Sequence, residues 1–180
     1  LEKLQCSCID LYQIHWPALF GRPPIEETMR AMEKLVDDGK VRYIGVSNFS
    51  LSQTREAEEA LLRHELVSNQ VEYNLKVREI EAELLPYCDK NGIVILAYRP
   101  VAHGALANPS GKLKEAMDEV SRRHGGKAPA QIALNWLLNK SKVVFPIPRA
   151  SRPQRVVENV GAAGWSLDSD DLARLEVATR

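Results

Sequence analysis

Apolar positions along the chain alternate between two spacings. Short runs fit strands, and longer segments repeat at helical spacing. Ile9 to Ile14 (IDLYQI) is the first strand-like run. Ile25, Met29, Met32, Leu35 and Val36 then fall on one helix face, with Glu26 and Glu27 in its first turn and Gly39-Lys40 at its end. The cycle repeats with a strand over Val41 to Val46 and a helix that Ser50 caps and that runs to about Arg63. A third strand covers Leu66 to Tyr73, followed by a helix near Glu79 to Asn91 that Gly92 stops. Ile93 to Tyr98 (IVILAY) is unbroken apolar sequence, the pattern of a parallel strand covered on both faces. Beyond a long loop, Arg99 to Gly111, come helices near Lys112 to His124 and Pro129 to Asn139. A fifth strand over Val143 to Ile147 follows, then helices near Pro153 to Val160 and Asp168 to Ala178.

Strand then helix, five times over and without hairpin signals, predicts parallel βαβ units and an α/β fold. An eight-unit barrel runs to about 250 residues, roughly 30 per unit. The 180 residues therefore match about five βα units plus a terminal helix. The expectation is an incomplete (β/α)8 TIM-type barrel forming a single domain over residues 1–180, part of a longer protein. A five-stranded doubly wound sheet fits the count equally. Its first turn should be a glycine-rich phosphate loop, and His15-Trp16-Pro17 is not one.

Composition narrows the partners. Twenty-four basic residues balance twenty-four acidic ones, so the field that nucleic acid or an anionic membrane requires is missing. No apolar run is long enough to span a bilayer, and Leu1 to Asp10 lacks a signal-peptide layout, so the expected setting is cytoplasmic. Cys6, Cys8 and Cys88 do not have the spacing of a disulfide scaffold or a zinc site, and His15, His64, His103 and His124 suggest no metal. The expected ligand is a small molecule.

In parallel barrels the reactive groups stand at the carboxyl ends of strands. Here those positions hold His15-Trp16, Ser47-Asn48, Gln70 with Tyr73-Asn74, Tyr98-Arg99, and Arg149 with Ser151. Hydroxyls and amides can grip a carboxamide, a tyrosine ring can stack on a planar heterocycle, and arginine offers a fork to phosphate.

DLYQIHWP (10–17), GKVRYIGVSNFS (39–50), NQVEYN (69–74), ILAYRP (95–100) and PIPRASRPQRVVEN (146–159), in that order, resemble the aldo-keto reductase family from its fourth barrel strand onward. The resemblance implies NADPH-dependent reduction of an aldehyde or ketone to an alcohol. His15 would hold the substrate carbonyl, and Trp16 would line the substrate pocket. Ser47, Asn48 and Gln70 would hold the nicotinamide carboxamide while Tyr98 stacks on its ring. Arg149, Ser151, Arg155 and Asn159, with Glu158 beside them, would meet the adenosine end, where two arginines favour NADPH over NADH. The family's Asp, Tyr and Lys would lie upstream of Leu1, which leaves the isolated chain inactive. Arg99 stands where the family more often has serine, and it either pairs with the pyrophosphate or crowds it. Helix capping is the alternative role for the Ser47-Asn48 turn, and a solvated surface charge that for Arg155. A non-catalytic NADP-binding subunit and a non-functional barrel fragment are the alternatives for the whole. Five strands without the rest would leave two edges and an inner face of Val, Ile and Leu open to self-association.

Overall fold

The computed structural model describes residues 1–18 and 22–179. Its strands are β1 (Ile9–Ile14), β2 (Val41–Ser47), β3 (Leu66–Glu72), β4 (Val94–Tyr98) and β5 (Val144–Pro146). Its helices are α1 (Ile25–Asp37), α2 (Leu51–Ala60), α3 (Leu84–Asn91), α4 (Gly111–Arg123), α5 (Pro129–Leu138), α6 (Pro153–Val160) and α7 (Ser169–Val177). The strand order is β1-β2-β3-β4-β5, and β1, β2 and β3 pair in parallel. Each strand thus lies beside the next in sequence. That order decides between the two expected α/β folds, because a doubly wound sheet reverses direction at a switch point and a barrel does not. The chain divides into two compact units, Leu1–Val71 with Glu81–Leu96 and Glu72–Ile80 with Ala97–Arg180.

In the first unit the helix-facing side of the sheet is apolar. Ile44, Val46 and Leu66 pack with Met29 and Met32 of α1, Ala57 and Ala60 of α2, and Phe49. A register shift between Ile44 and Gly45 adds a residue to β3, so Gly45 lies opposite Ser68 and Ser47 opposite Gln70. The other side of the sheet differs from the aliphatic face expected. It carries Leu11, Gln13, Tyr43, Gly45 and Ser68, and Gln13 Nε2 donates to Val46 O (3.2 Å) and Ser68 Oγ (3.3 Å). Gly45 is required there, since a Cβ would collide with Ser68 Oγ and stand 2.9 Å from Gln13 Cγ.

Two helices are shorter than their sequences suggest. Helix α2 ends at Ala60, where the chain turns extended at Leu61. The freed N–H groups of Leu62, Arg63 and His64 donate to Glu33 Oε1 at 2.8, 2.6 and 3.3 Å. Glu33 is 1% exposed. Burial pushes its carboxyl up, but the donors from 62–64 and the Arg63 guanidinium outweigh burial and hold it below the ordinary glutamate range. The segment expected to be helical from Glu79 begins with a 3-10 turn, Glu79–Glu81, and α3 starts only at Leu84. Pro86 explains the delay, because proline fits a helix's first turn and not its interior. Gly92, at φ 72°, ends α3 in the left-handed region. Cys88 of α3 is buried, which pushes its thiol up to about 12.

In the second unit, Ile147 N–H donates to Ala97 O (3.0 Å) and holds the end of β5 to β4. Trp136 of α5 is fully buried, with the Tyr73 ring 5.6 Å away. Arg78 and Lys140 flank the indole at 5.3 and 4.5 Å, and both pair with Glu176 of α7. Asp171, also buried, accepts from Arg123 Nη1 (2.5 Å) and hydrogen-bonds His124 Nε2 (2.6 Å), which fixes α4 to α7.

Candidate active site

The strand ends of the first unit are joined by one amide. Asn48, just past β2, has φ 61°, a left-handed conformation that asparagine tolerates better than most residues. Its backbone N–H donates to Gln70 O (2.8 Å). Its Nδ2 donates to His15 O (2.9 Å) and Ser47 Oγ (3.0 Å), while Ser47 Oγ donates to Gln70 O (2.8 Å). The ends of β1, β2 and β3 are thereby tied together. His15, Ser47, Asn48 and Gln70 form one hydrogen-bonded group. His15 is exposed, and its ring centroid lies 6.2 Å from that of Trp16, itself 60% exposed.

Capping does not explain Ser47 and Asn48. Ser50 caps α2, accepting from Gln53 N–H (3.3 Å) while its own N–H donates to Gln53 Oε1 (3.0 Å). The turn is held from beneath by Asn69, fully buried, whose Nδ2 donates to Phe49 O (2.9 Å) and Thr54 Oγ1 (3.1 Å). Gln70 differs from its neighbours: its half-buried side-chain amide makes no hydrogen bond among the described residues. An uncommitted carbonyl and NH2 match the complementary groups of a carboxamide ligand.

The second unit carries the remaining candidates. Tyr98 is half-buried at the end of β4. Burial raises its hydroxyl above the ordinary tyrosine range, the Glu72 carboxylate adds to this and Arg99 opposes it, so the ring stays neutral. Arg99 has φ 50°. Its carbonyl accepts from Asn74 Nδ2 (3.1 Å) and Ala102 N–H (2.9 Å). Its guanidinium lies 5.7 Å from the centroid of the Tyr98 ring and pairs through Nη1 with Glu72 Oε2 at 2.9 Å. Arg149 and Ser151 are exposed, and Arg149 makes no ion pair among the described residues. Helix α6 buries no side chain. On it Arg155 Nη1 pairs with Glu158 Oε2 (2.6 Å), and Glu158 O accepts from Gln131 Nε2 (3.0 Å), which moors α6 to α5. Asn159 is half-buried.

Glu72 and Asn69 are the side chains that motif reading passed over. Strand periodicity could have found the first, since Glu72 follows Gln70 by two residues and shares its face of β3. Asn69 left no such trace, because a buried amide bracing a turn looks like any polar residue within a strand.

A glyoxal reductase of Bacillus subtilis (strain 168) is 35% identical over 182 residues, which cover 100% of this chain and 60% of that protein. Methylglyoxal reductase YeaE of Escherichia coli (strain K12) is 37% identical over 180 residues, covering 99% of this chain and 61% of its own. The chain thus spans about three-fifths of the length of the curated relatives it matches. Among solved structures, a thermostable aldo-keto reductase, Tm1743, in complex with the inhibitor epalrestat superposes with a TM-score of 0.89 at 36% identity, over 98% of this chain and 62% of that one. An aldo/keto reductase from Klebsiella pneumoniae in complex with NADP and acetate gives 0.81 at 34% identity, over 98% and 60%. The sequence profile of the aldo/keto reductase family matches residues 1–180. The chain belongs to the aldo/keto reductase family.

Proposed function

We propose that the polypeptide carrying this chain reduces an aldehyde or ketone to an alcohol with NADPH, and that these residues are one domain, the carboxyl-terminal part of a longer barrel. The observation that carries the reading is the group His15, Ser47, Asn48 and Gln70, hydrogen-bonded across three strand ends with the Gln70 amide left over. The donor set fits the cofactor. In the first unit Gln70, Ser47 and Asn48 hold the nicotinamide carboxamide. In the second, Tyr98 lends a neutral ring to the nicotinamide and Arg99 a guanidinium to the pyrophosphate. Arg149, Ser151 and Arg155 take the 2′-phosphate, with Asn159 and Glu158 toward the adenine. NADPH, when bound, supplies the hydride for the carbonyl carbon.

His15 donates an imidazole N–H to the carbonyl oxygen, which polarises the bond and fixes its pose. Trp16 covers the substrate. The proton is assigned to a tyrosine outside these residues, since those inside are engaged or misplaced. Tyr73 is fully buried, and Tyr87 donates to Glu58 Oε2 at 2.7 Å. Tyr43 precedes Ser47 by four positions of extended chain, roughly 13 Å, and Tyr12 is on the helix-facing side with Ile14. Several aliphatic side chains left exposed in the second unit, among them Val156, Val157 and Val160 of α6 and Ile147, are covered in this reading by the rest of the barrel. Without it they favour self-association. The free thiols of Cys6, Cys8 and Cys88 suit a cytoplasmic setting.

The test is NADPH oxidation by the native polypeptide against a panel of small aldehydes and ketones that includes methylglyoxal. Turnover that falls about a hundredfold or more in His15→Ala supports the reading. Tight NADPH binding with no turnover on any carbonyl would transfer the assignment to a non-catalytic NADP-binding subunit.

A further inference from the structure

Arg99 follows Tyr98 at the end of β4, and the structure gives it an acidic partner, Glu72, that no motif requires. Three features define the pair. The root of the side chain is fixed, because the Arg99 backbone is held at φ 50° by the two donors on its carbonyl, Asn74 Nδ2 and Ala102 N–H. The guanidinium remains accessible, with its side chain 49% exposed. Its ion pair is single-point, Nη1 to Glu72 Oε2 at 2.9 Å, rather than the two-bond fork that arginine makes with its strongest carboxylate partners. A non-glycine residue in the left-handed region costs free energy and persists where its surroundings insist on it, often at ligand clamps.

We propose that Glu72 is a resident competitor for the phosphate-binding face of Arg99, one that sets how tightly the dinucleotide is held and recaptures the guanidinium when the cofactor leaves. The inference rests on the proposed role of Arg99 at the pyrophosphate. A carboxylate and a phosphate oxygen present the same chemistry to a guanidinium. One exposed, single-point contact exchanges at low cost. Glu72 therefore keeps the cation neutralised between cofactors, lowers affinity, and speeds a release step of the kind that limits many enzymes. The same carboxylate acts on NADPH and NADH alike, because the pyrophosphate is common to both.

The experiment measures dissociation constants of the native polypeptide for NADPH, NADH and adenosine 2′-monophosphate, which lacks a pyrophosphate, by fluorescence titration. It compares wild type, Glu72→Gln, Arg99→Ala and the double variant. Glu72→Gln is expected to tighten NADPH and NADH about three- to fivefold and to leave the monophosphate unchanged. In the Arg99→Ala background the Glu72→Gln gain should disappear. Weaker or unchanged dinucleotide binding in Glu72→Gln would overturn the proposal, as would a gain that survives loss of Arg99. Wild-type protein that binds neither dinucleotide would instead overturn the cofactor reading on which the proposal stands.

Discussion

The two sets of candidate residues are held in different ways. In the first unit His15, Ser47, Asn48 and Gln70 stand at the ends of three paired strands, cross-linked by Asn48 and braced below by Asn69. In the second, Arg155, Glu158 and Asn159 sit on α6, a helix with no buried side chain, and Arg149 and Ser151 are exposed beside it. Arg155 spends its charge on Glu158. The first set is held by the sheet, and the second by the mooring of α6 to α5 through Gln131 and by the Arg155–Glu158 pair. In the proposed function the first set orients the carboxamide and the carbonyl, and the second set binds phosphate.

The largest expected effect breaks the first region alone. His15→Ala in the native polypeptide should lower kcat about 10²- to 10⁴-fold while the NADPH dissociation constant changes less than about threefold, because Ser47, Asn48 and Gln70 keep their strand-end bonds. Steady-state kinetics beside a fluorescence titration separate the two effects. A matching loss of affinity would show that His15 serves binding and not the carbonyl.

Glu33 tests the support of that region. Glu33→Gln should cost about 1–3 kcal/mol in urea unfolding at neutral pH, since three backbone N–H groups lose a buried charged acceptor. The sign of the pH dependence follows from the direction of the shift. The folded carboxyl titrates below the unfolded value of 4.5, so its contribution is complete above 4.5 and is lost as pH falls through the folded value. The gap between wild type and variant should therefore narrow on acidification below that point. A gap that stays constant would mean the carboxylate is not the acceptor at work.

Arg149 and Arg155 sharpen the second region. Arg149 makes no ion pair among the described residues, and Arg149→Ala should raise the NADPH dissociation constant about tenfold with little effect on NADH. Arg155→Ala should raise it only about twofold, because the phosphate must first displace Glu158. Equal losses for the two arginines would erase the distinction drawn from the Arg155–Glu158 pair.

Much of this architecture is legible in the sequence. Ile9–Ile14 and Pro153–Val160 form the strand and helix that periodicity and the proline N-terminus imply, and the sequential strand order follows from βα alternation without a phosphate loop. What escaped was tertiary. Helix α2 stops three residues early because Glu33, on another helix, collects the N–H groups of residues 62–64, and no local spacing announces that. The inner side of the first unit's sheet reads as aliphatic until the β2–β3 register shift sets Gly45 against Ser68. The strand-end residues were visible as motifs. Their linkage through Asn48, and the acidic partner of Arg99, arise only from the tertiary fold.

Reduction of a carbonyl with NADPH is tested by incubating the native polypeptide with C4-deuterated NADPH, each stereoisomer in turn, and a small aldehyde, and reading the alcohol by mass spectrometry. Deuterium is expected on the carbinol carbon from one isomer and not from the other, with transfer falling away in His15→Ala. An alcohol without label from either isomer, or cofactor bound and never consumed, would contradict the proposed reduction.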